Sequence, residues 1–259
     1  MEEKVIEIFK KYLSLNIPKK ILITYFLCWT GFLFSFSVGK FLLYLSSIFK
    51  SKFIEQPAKL AQEVGTVKFH AVSSAVSTTV GTKNSYLTYA FSYVISNFMG
   101  CLIIMLALGL LAYLYKKDLE KAKTLEEKEE IFRQYQKYLF ILFIFTVVNP
   151  LTGLIGTDLN YSDLIAVLPH GFFEFFGFAT AVVGGLEIAN KILPIIEKRI
   201  YRKKIATLIL CSFIFIFIAG MLEPFDWLIY GYAKAYGISL LSAFINAYKN
   251  LFLYLISML

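Results

Sequence analysis

The run from Leu164 to Gly185, LIAVLPHGFFEFFGFATAVVGG, decides the fold, because it is long and apolar enough to cross a lipid bilayer. It nevertheless contains His170 and Glu174, which lie one helical turn apart. A charged side chain near the bilayer centre costs about 2.5–3.5 kcal/mol on insertion scales. Apolar residues would occupy these two positions without that cost, so a structural or chemical requirement keeps the histidine and the glutamate there.

The composition of the whole chain indicates an integral membrane protein. Of its 259 residues, 58% are hydrophobic and 17% are aromatic, and the mean hydropathy is +0.66. A soluble domain of this length has too little interior for so much apolar surface. The net charge of +8 does not predict a nucleic-acid partner, because Lys and Arg cluster at the ends of the apolar runs.

The apolar runs predict an all-α fold, a polytopic bundle of five to six transmembrane helices. Backbone polar groups must pair within each segment in lipid, which favours helices over strands. The break in the bundle is expected near Pro169, where a proline kinks or ends a helix. The predicted spans cover residues 21–48, 87–116, 138–157, 162–190 and 205–226.

The charges between the spans predict the orientation in the cell membrane. Lys and Arg are concentrated in 1–20, 116–137 and 191–204, whereas 157–163 has none. The positive-inside rule therefore places the N-terminus in the cytoplasm. The five lysines of 50–86 would then face outward, which long loops tolerate.

Four segments outside the five spans have patterns of their own. Residues 1–20 predict an amphipathic cytoplasmic segment, and 117–137 predicts a water-exposed helix with charges at i, i+4 spacing. The outer stretch 65–86 is rich in Gly, Ser, Thr and Val, which leaves open an ordered cap, a partner-binding surface, a re-entrant piece or a solvated loop. The extension 227–259 predicts a sixth transmembrane helix or an interfacial one.

Polar residues inside the spans are the candidates for function. His170 and Glu174 share one helix face, and Pro169 frees a backbone carbonyl that needs a partner. The candidate intramembrane polar network consists of Asn97, Asn149, Pro169, His170, Gly171, Glu174 and Glu223. A seam of small residues predicts close helix packing at Gly177, Gly184 and Gly185.

No cofactor or metal is expected from the sequence. His170 and Glu174 supply only two neighbouring ligands, whereas zinc takes three or four. Cys28, Cys101 and Cys211 lie in separate apolar runs without metal-type neighbours. Nucleotide-binding glycine motifs are absent as well, so any energy source would come from a partner or an ion gradient.

The run Pro169-His170-Gly171 with Glu174, continued by glycines to Gly185, resembles the stage II sporulation protein M (SpoIIM) family. The resemblance covers roughly residues 20–227 and departs from the family at Pro150 and in 228–259. Supporting features are Asn97 with Gly100, Asn149 with Gly153 and Gly156, and the ending Ile218-Ala-Gly-Met-Leu-Glu223.

The resemblance implies a multi-pass membrane protein. The named member of that family belongs to an engulfment complex with cell-wall-degrading partners and is not itself the hydrolase. The expected role is therefore a non-enzymatic subunit or scaffold, whose partners are the lipid bilayer and membrane or peripheral proteins. Oligomerisation with further copies of the chain stays open.

Two alternatives keep the same residues. In a transporter or permease-like subunit, His170 and Glu174 would line a proton, ion or substrate pathway. In an intramembrane hydrolase, Glu174 would activate water with His170 as its partner. The single central glutamate leaves that reaction short of a second acidic group, so the sequence favours a protein that is not an enzyme.

Overall fold

The described residues form an all-α bundle without strands, as the sequence predicts. The computed structural model describes residues 2–80, 86–196 and 202–257. Its α-helices are α1 (Glu2–Ser14), α2 (Ile17–Phe49), α3 (Lys52–Val80), α4 (Tyr86–Leu119), α5 (Leu125–Val148), α6 (Pro150–Ile155), α7 (Leu168–Ile192), α8 (Arg202–Tyr236) and α9 (Leu240–Ser257). Short 3₁₀ helices cover Gly156–Asp158 and Tyr161–Val167.

Five helical segments are long and apolar enough to cross a membrane, so the chain is a multi-pass membrane protein. They are Ile17–Phe49, Tyr86–Leu119, Leu125–Asp158, Tyr161–Ile192 and Lys203–Tyr236. Each contains one of the five predicted spans and extends it at one or both ends. The most deeply buried is Tyr161–Ile192, which α2, α4, α5 and α8 surround.

The discontinuity predicted near Pro169 is a change of helix type. The 3₁₀ helix ends at Val167, and α7 begins at Leu168 with the proline in its first turn. A proline is well tolerated there because the first backbone N–H groups of a helix have no partner within the helix. A second break occurs at Asn149, whose left-handed backbone (φ 38°) separates α5 from α6.

The outer segment after α2 is a helix from Lys52 to Val80, so the solvated-loop alternative for 65–86 is wrong for its described part, 65–80. Lys50, in the left-handed conformation, ends α2, and α3 follows after a single residue. α3 packs against α2, α4 and α6. Its side chains meet the bundle where Gln62 Nε2 donates to Thr157 Oγ1 at 3.2 Å and where Phe69 contacts Tyr93. Residues 81–85 of the predicted stretch lie outside the described residues.

The N-terminal amphipathic segment is a helix whose apolar face packs on the bundle. Phe9 and Leu13 are buried, and the Phe9 ring contacts Phe140 and Phe143 of α5. The charged stretch 117–137 is divided between the end of α4 and the start of α5. A capping box of Thr124 with Glu127 begins α5.

The C-terminal extension continues α8 and adds α9. Tyr86, the first residue of α4, donates its hydroxyl to the carbonyl of Met221, and α8 continues about 22 Å beyond Met221 at 1.5 Å per residue. Against this projecting part of α8 pack α9 and the 3₁₀ helix Tyr161–Val167. We call these three elements the end layer.

Candidate functional site

His170, in the first turn of α7, is held by Asp226 of α8. The backbone N–H of His170 donates to Asp226 Oδ2 at 3.1 Å, and the same oxygen lies 2.8 Å from His170 Nδ1. Because a carboxylate accepts, Nδ1 carries the proton that is shared with it. Both residues are buried. Asp226 therefore fixes the position and the tautomer of the imidazole, which leaves Nε2 as its free nitrogen.

The end layer completes the binding of Asp226. Tyr248 of α9 donates its hydroxyl to Asp226 Oδ1 at 2.6 Å. Burial and this hydrogen bond raise the pKa of Tyr248 above its ordinary value. One continuous chain of polar contacts thus joins α9, α8 and α7.

Glu174 and Glu223 lie close to the imidazole. One ligand atom from each of His170, Glu174 and Glu223 can be chosen so that all three lie within 4.8 Å of one another. Trp227 Nε1 lies 3.5 Å from Glu223 Oε1, a long hydrogen bond. The second carboxylate oxygen, Glu223 Oε2, is buried and has no hydrogen-bond partner in the part of the chain that the structure describes. We call His170, Glu174, Glu223 and Asp226 the acidic centre.

Two further helices contribute polar groups near Glu174. Lys68 of α3 and Tyr93 of α4 are close enough to interact with it electrostatically, and Tyr93 also interacts with Glu223. Burial lowers the pKa of Lys68, which the charge of Glu174 opposes. Cys101, also near Glu174, is two turns along α4 from Tyr93, so Asn97 between them lies on the same helix face.

The acidic centre lies inside two candidate spans, Tyr161–Ile192 and Lys203–Tyr236, and on α7 it is at the end remote from the basic segments. His170 is the third residue of α7, whose last turn carries Lys191. Glu223 follows Lys203 of α8 by 20 residues, about 30 Å of helix. The basic segments that are predicted to face the cytoplasm are therefore at the opposite end of the same helices.

The remaining sequence candidates occupy three kinds of place. Asn149 is not part of the acidic centre, because it forms the break between α5 and α6. Gly171 faces the Trp29 ring of α2. The three seam glycines lie at close helix crossings, where Gly177 meets Ile216 of α8 and where Gly184 and Gly185 meet Met105 of α4.

A second buried polar site lies at the basic end and was not found from the sequence. Lys20 Nζ of α2 binds the carboxylate of Glu187 of α7 and donates to the carbonyl of Leu13 at 3.0 Å. Only 1% of the Lys20 side chain and 3% of the Glu187 side chain are exposed. The two residues are 167 positions apart, so no local spacing pairs them. We call them the inner ion pair.

Asp226 and Tyr248 were not predicted as site residues, although the sequence contains one indication of Asp226. Asp226 follows Glu223 by three residues in an otherwise apolar run, which places both on one helix face. The predicted span 205–226 ends at Asp226, and no role was predicted for this residue. The third metal-capable residue, Glu223, was named as part of the network but not as a neighbour of Glu174.

Comparison with known proteins shows the family of the chain. It is 82% identical to the uncharacterized protein MJ0096 of Methanocaldococcus jannaschii over 259 residues, which cover all of this chain and 99% of that protein. The chain therefore belongs to the same family as MJ0096. No protein-family model matches it, and no solved structure does.

Proposed function

We propose that this member of the MJ0096 family is a non-enzymatic subunit or scaffold of a membrane complex. The observation that carries the proposal is the contact chain from Tyr248 through Asp226 to His170. The polar groups of this chain hydrogen-bond to one another across three helices. They attach the end layer to the rest of the bundle. The resemblance to the SpoIIM family supports the same role.

The end layer is the part of the chain that this role requires to be ordered. A second contact joins two elements of this layer to each other. Asp163 of the 3₁₀ helix binds Lys234 of α8 at 2.9 Å and accepts from Tyr230 of α8 at 3.2 Å. With the cytoplasmic N-terminus that the charge pattern predicts, this layer faces outward. Its part beyond the candidate spans, from the end of α8 at Tyr236 to the start of α9 at Leu240, is then the surface that an external partner meets.

The test is the assembly state of the protein in nanodiscs, measured by light scattering and crosslinking in native membranes. Asp226→Asn should release the end layer and reduce both thermal stability and crosslinked assemblies. Glu63→Gln, an exposed acid on α3, is the control and should change neither. A variant that keeps its fold and its assemblies after the loss of the Asp226 charge would contradict the scaffold role.

An intramembrane hydrolase is the second candidate, and one observation favours it. The sequence offered a single central glutamate, but the fold brings Glu223 beside Glu174 and His170. A base and an acid can then work on the same bond. Incubation of nanodisc protein with membrane lipids and peptides, followed by mass spectrometry, tests this role. Glu174→Gln is the inactive reference, and equal product in both preparations would contradict hydrolysis.

A transporter has no comparable support. Substrate and coupling-ion sites of many secondary transporters lie near the middle of the membrane. The acidic centre lies inside two of the candidate spans, Tyr161–Ile192 and Lys203–Tyr236, but no observation assigns it a substrate or a coupling ion.

A further inference from the structure

The acidic centre contains more negative charge than its surroundings balance. Its three carboxylates belong to Glu174 of α7 and to Glu223 and Asp226 of α8. Among the described residues, Lys68 of α3 is the cation that interacts with Glu174, while α4 and α9 contribute the neutral side chains Tyr86, Tyr93, Cys101 and Tyr248. If all three carboxylates are ionised and the imidazole is neutral, their negative charge exceeds the charge of the ammonium by two. Buried charge without compensation costs several kcal/mol per ion.

The unpartnered oxygen of Glu223 indicates where a positive charge would balance these carboxylates. Glu223 Oε2 is buried and has no hydrogen-bond partner among the described residues. Native proteins rarely leave such an oxygen unpaired, because no hydrogen bond then offsets the free-energy cost of its desolvation. The oxygen belongs to the same group of three side chains whose ligand atoms lie within 4.8 Å of one another.

The spacing of those atoms fits one metal ion. Three atoms that are at most 4.8 Å apart lie within about 2.8 Å of a common point. Zinc binds imidazole nitrogen and carboxylate oxygen at about 2.0–2.2 Å, so rotamer adjustments of well under 1 Å per ligand would bring the three into contact.

The imidazole is prepared as a metal ligand. Metal-bound histidines commonly donate their second N–H to a carboxylate, which fixes the ring and raises its basicity. Asp226 does this to His170 Nδ1, and Tyr248 holds Asp226 in turn. The two helices that carry the ligands also contact each other one turn from Glu174 on α7, where Ser212 Oγ of α8 donates to the carbonyl of Gly177 at 2.9 Å.

We propose that the acidic centre is a binding site for one divalent transition-metal ion of the zinc class. His170 Nε2, Glu174 and Glu223 are its ligands, and Asp226 is the positioning residue behind the histidine. A dication also cancels the excess of two negative charges. Three protein ligands leave a position for a fourth ligand, such as water. The proposal is independent of the scaffold role above, since it concerns metal content rather than assembly.

The test is zinc binding to the purified full-length chain. The protein is produced with an affinity tag free of histidine, stripped with a chelator in detergent, and titrated with Zn²⁺ against a competing fluorescent indicator. We expect one zinc per chain and a higher melting temperature on binding. Glu223→Gln should weaken binding by more than tenfold, and Asp226→Asn by about 10–100-fold.

The control is Asp163→Asn, which removes a buried acid that already has its own cation in Lys234. It should bind zinc as the wild type does. The metal content of the wild type as purified is also measured, by mass spectrometry. This measurement does not depend on whether a ligand variant folds. The proposal is overturned if wild type stripped of metal takes up neither Zn²⁺ nor Mn²⁺, or if Glu223→Gln takes up as much as wild type. A wild-type protein that binds zinc but forms no assemblies would instead count against the scaffold role alone.

Discussion

The inner ion pair and the acidic centre are two buried polar sites on the same helix, α7, and they differ in charge balance. Lys20 and Glu187 form one cation and one anion, and the lysine also donates to the carbonyl of Leu13. The acidic centre has three carboxylates, one nearby lysine and an unpaired carboxylate oxygen. In the inner site, the groups of the chain itself balance each other's charge.

The difference teaches how to separate a structural polar site from one that has a ligand to bind. Both sites are costly to place among apolar helices, so burial alone does not distinguish them. The distinguishing observation is whether every charge and every polar atom has a partner within the chain. By that criterion the inner ion pair is structural, whereas the acidic centre has charge and a polar atom that can bind a ligand.

The largest effect should follow from breaking the inner ion pair. Lys20→Met leaves Glu187 buried without a counter-ion, and removal of one partner from such a pair costs about 3–5 kcal/mol. Denaturation in mixed micelles measures this loss. The double variant Lys20→Met/Glu187→Leu removes both charges and should recover most of the stability. A double variant as unstable as the single one would show that the charges are not the cause.

A smaller effect should follow from moving the two ligand helices of the acidic centre apart. A Cβ added to Gly177 would lie 2.7 Å from Ile216 Cγ1 and 3.2 Å from the Ser212 carbonyl oxygen. We expect Gly177→Ala to lower the free energy of unfolding by about 1–3 kcal/mol, the usual cost of overpacking. Gly231→Ala is the control, because nothing lies within 4 Å of its added Cβ, and it should be neutral or stabilising. Equal losses in both variants would contradict a close crossing at Gly177.

The end layer offers a milder change at the acidic centre. Tyr248→Phe removes one hydrogen bond to the Asp226 carboxylate and should cost about 1–2 kcal/mol. Tyr254→Phe on the same helix, where the side chain is exposed, should have no effect. Thermal melting of both variants in nanodiscs makes the comparison. If the two melt alike, Tyr248 does not hold Asp226.

The smallest effect should come from an ion pair outside both buried sites. Lys11 donates to Glu7 and lowers its pKa, but both side chains are mostly exposed. Exposed pairs contribute little, because water and salt screen them. Glu7→Gln should leave the melting temperature unchanged. A clear loss of stability would show that α1 docks through charge rather than through Phe9 and Leu13.

Much of the fold could be predicted from the sequence, because long apolar runs need no partner to be recognised. Each of the five predicted spans lies within one of the five long apolar helical segments, whose ends differ from the predicted ones by 1 to 13 residues. α3 was missed because its Ser, Thr, Val and Gly are poor indicators of a helix. It is stabilised by packing against α2, α4 and α6, which sequence periodicity does not reveal.

The candidate site was predictable only where its residues are neighbours along the chain. His170 and Glu174 were placed on one helix face by their spacing of four. Asp226 binds His170 from 56 positions away, and Lys20 binds Glu187 from 167. Such contacts depend on helix order and rotation, which a single sequence does not specify.

The most direct measurement compares Glu187→Gln with Glu223→Gln in protein stripped of metal. Glutamine keeps the shape of each side chain and removes its charge. The charge balance predicts opposite results: Glu187→Gln should lower the free energy of unfolding by several kcal/mol, because Lys20 loses its counter-ion. Glu223→Gln should leave stability unchanged or raise it, because it removes excess negative charge. Equal destabilisation by the two substitutions would contradict the distinction between a complete inner site and an acidic centre that has a cation to bind.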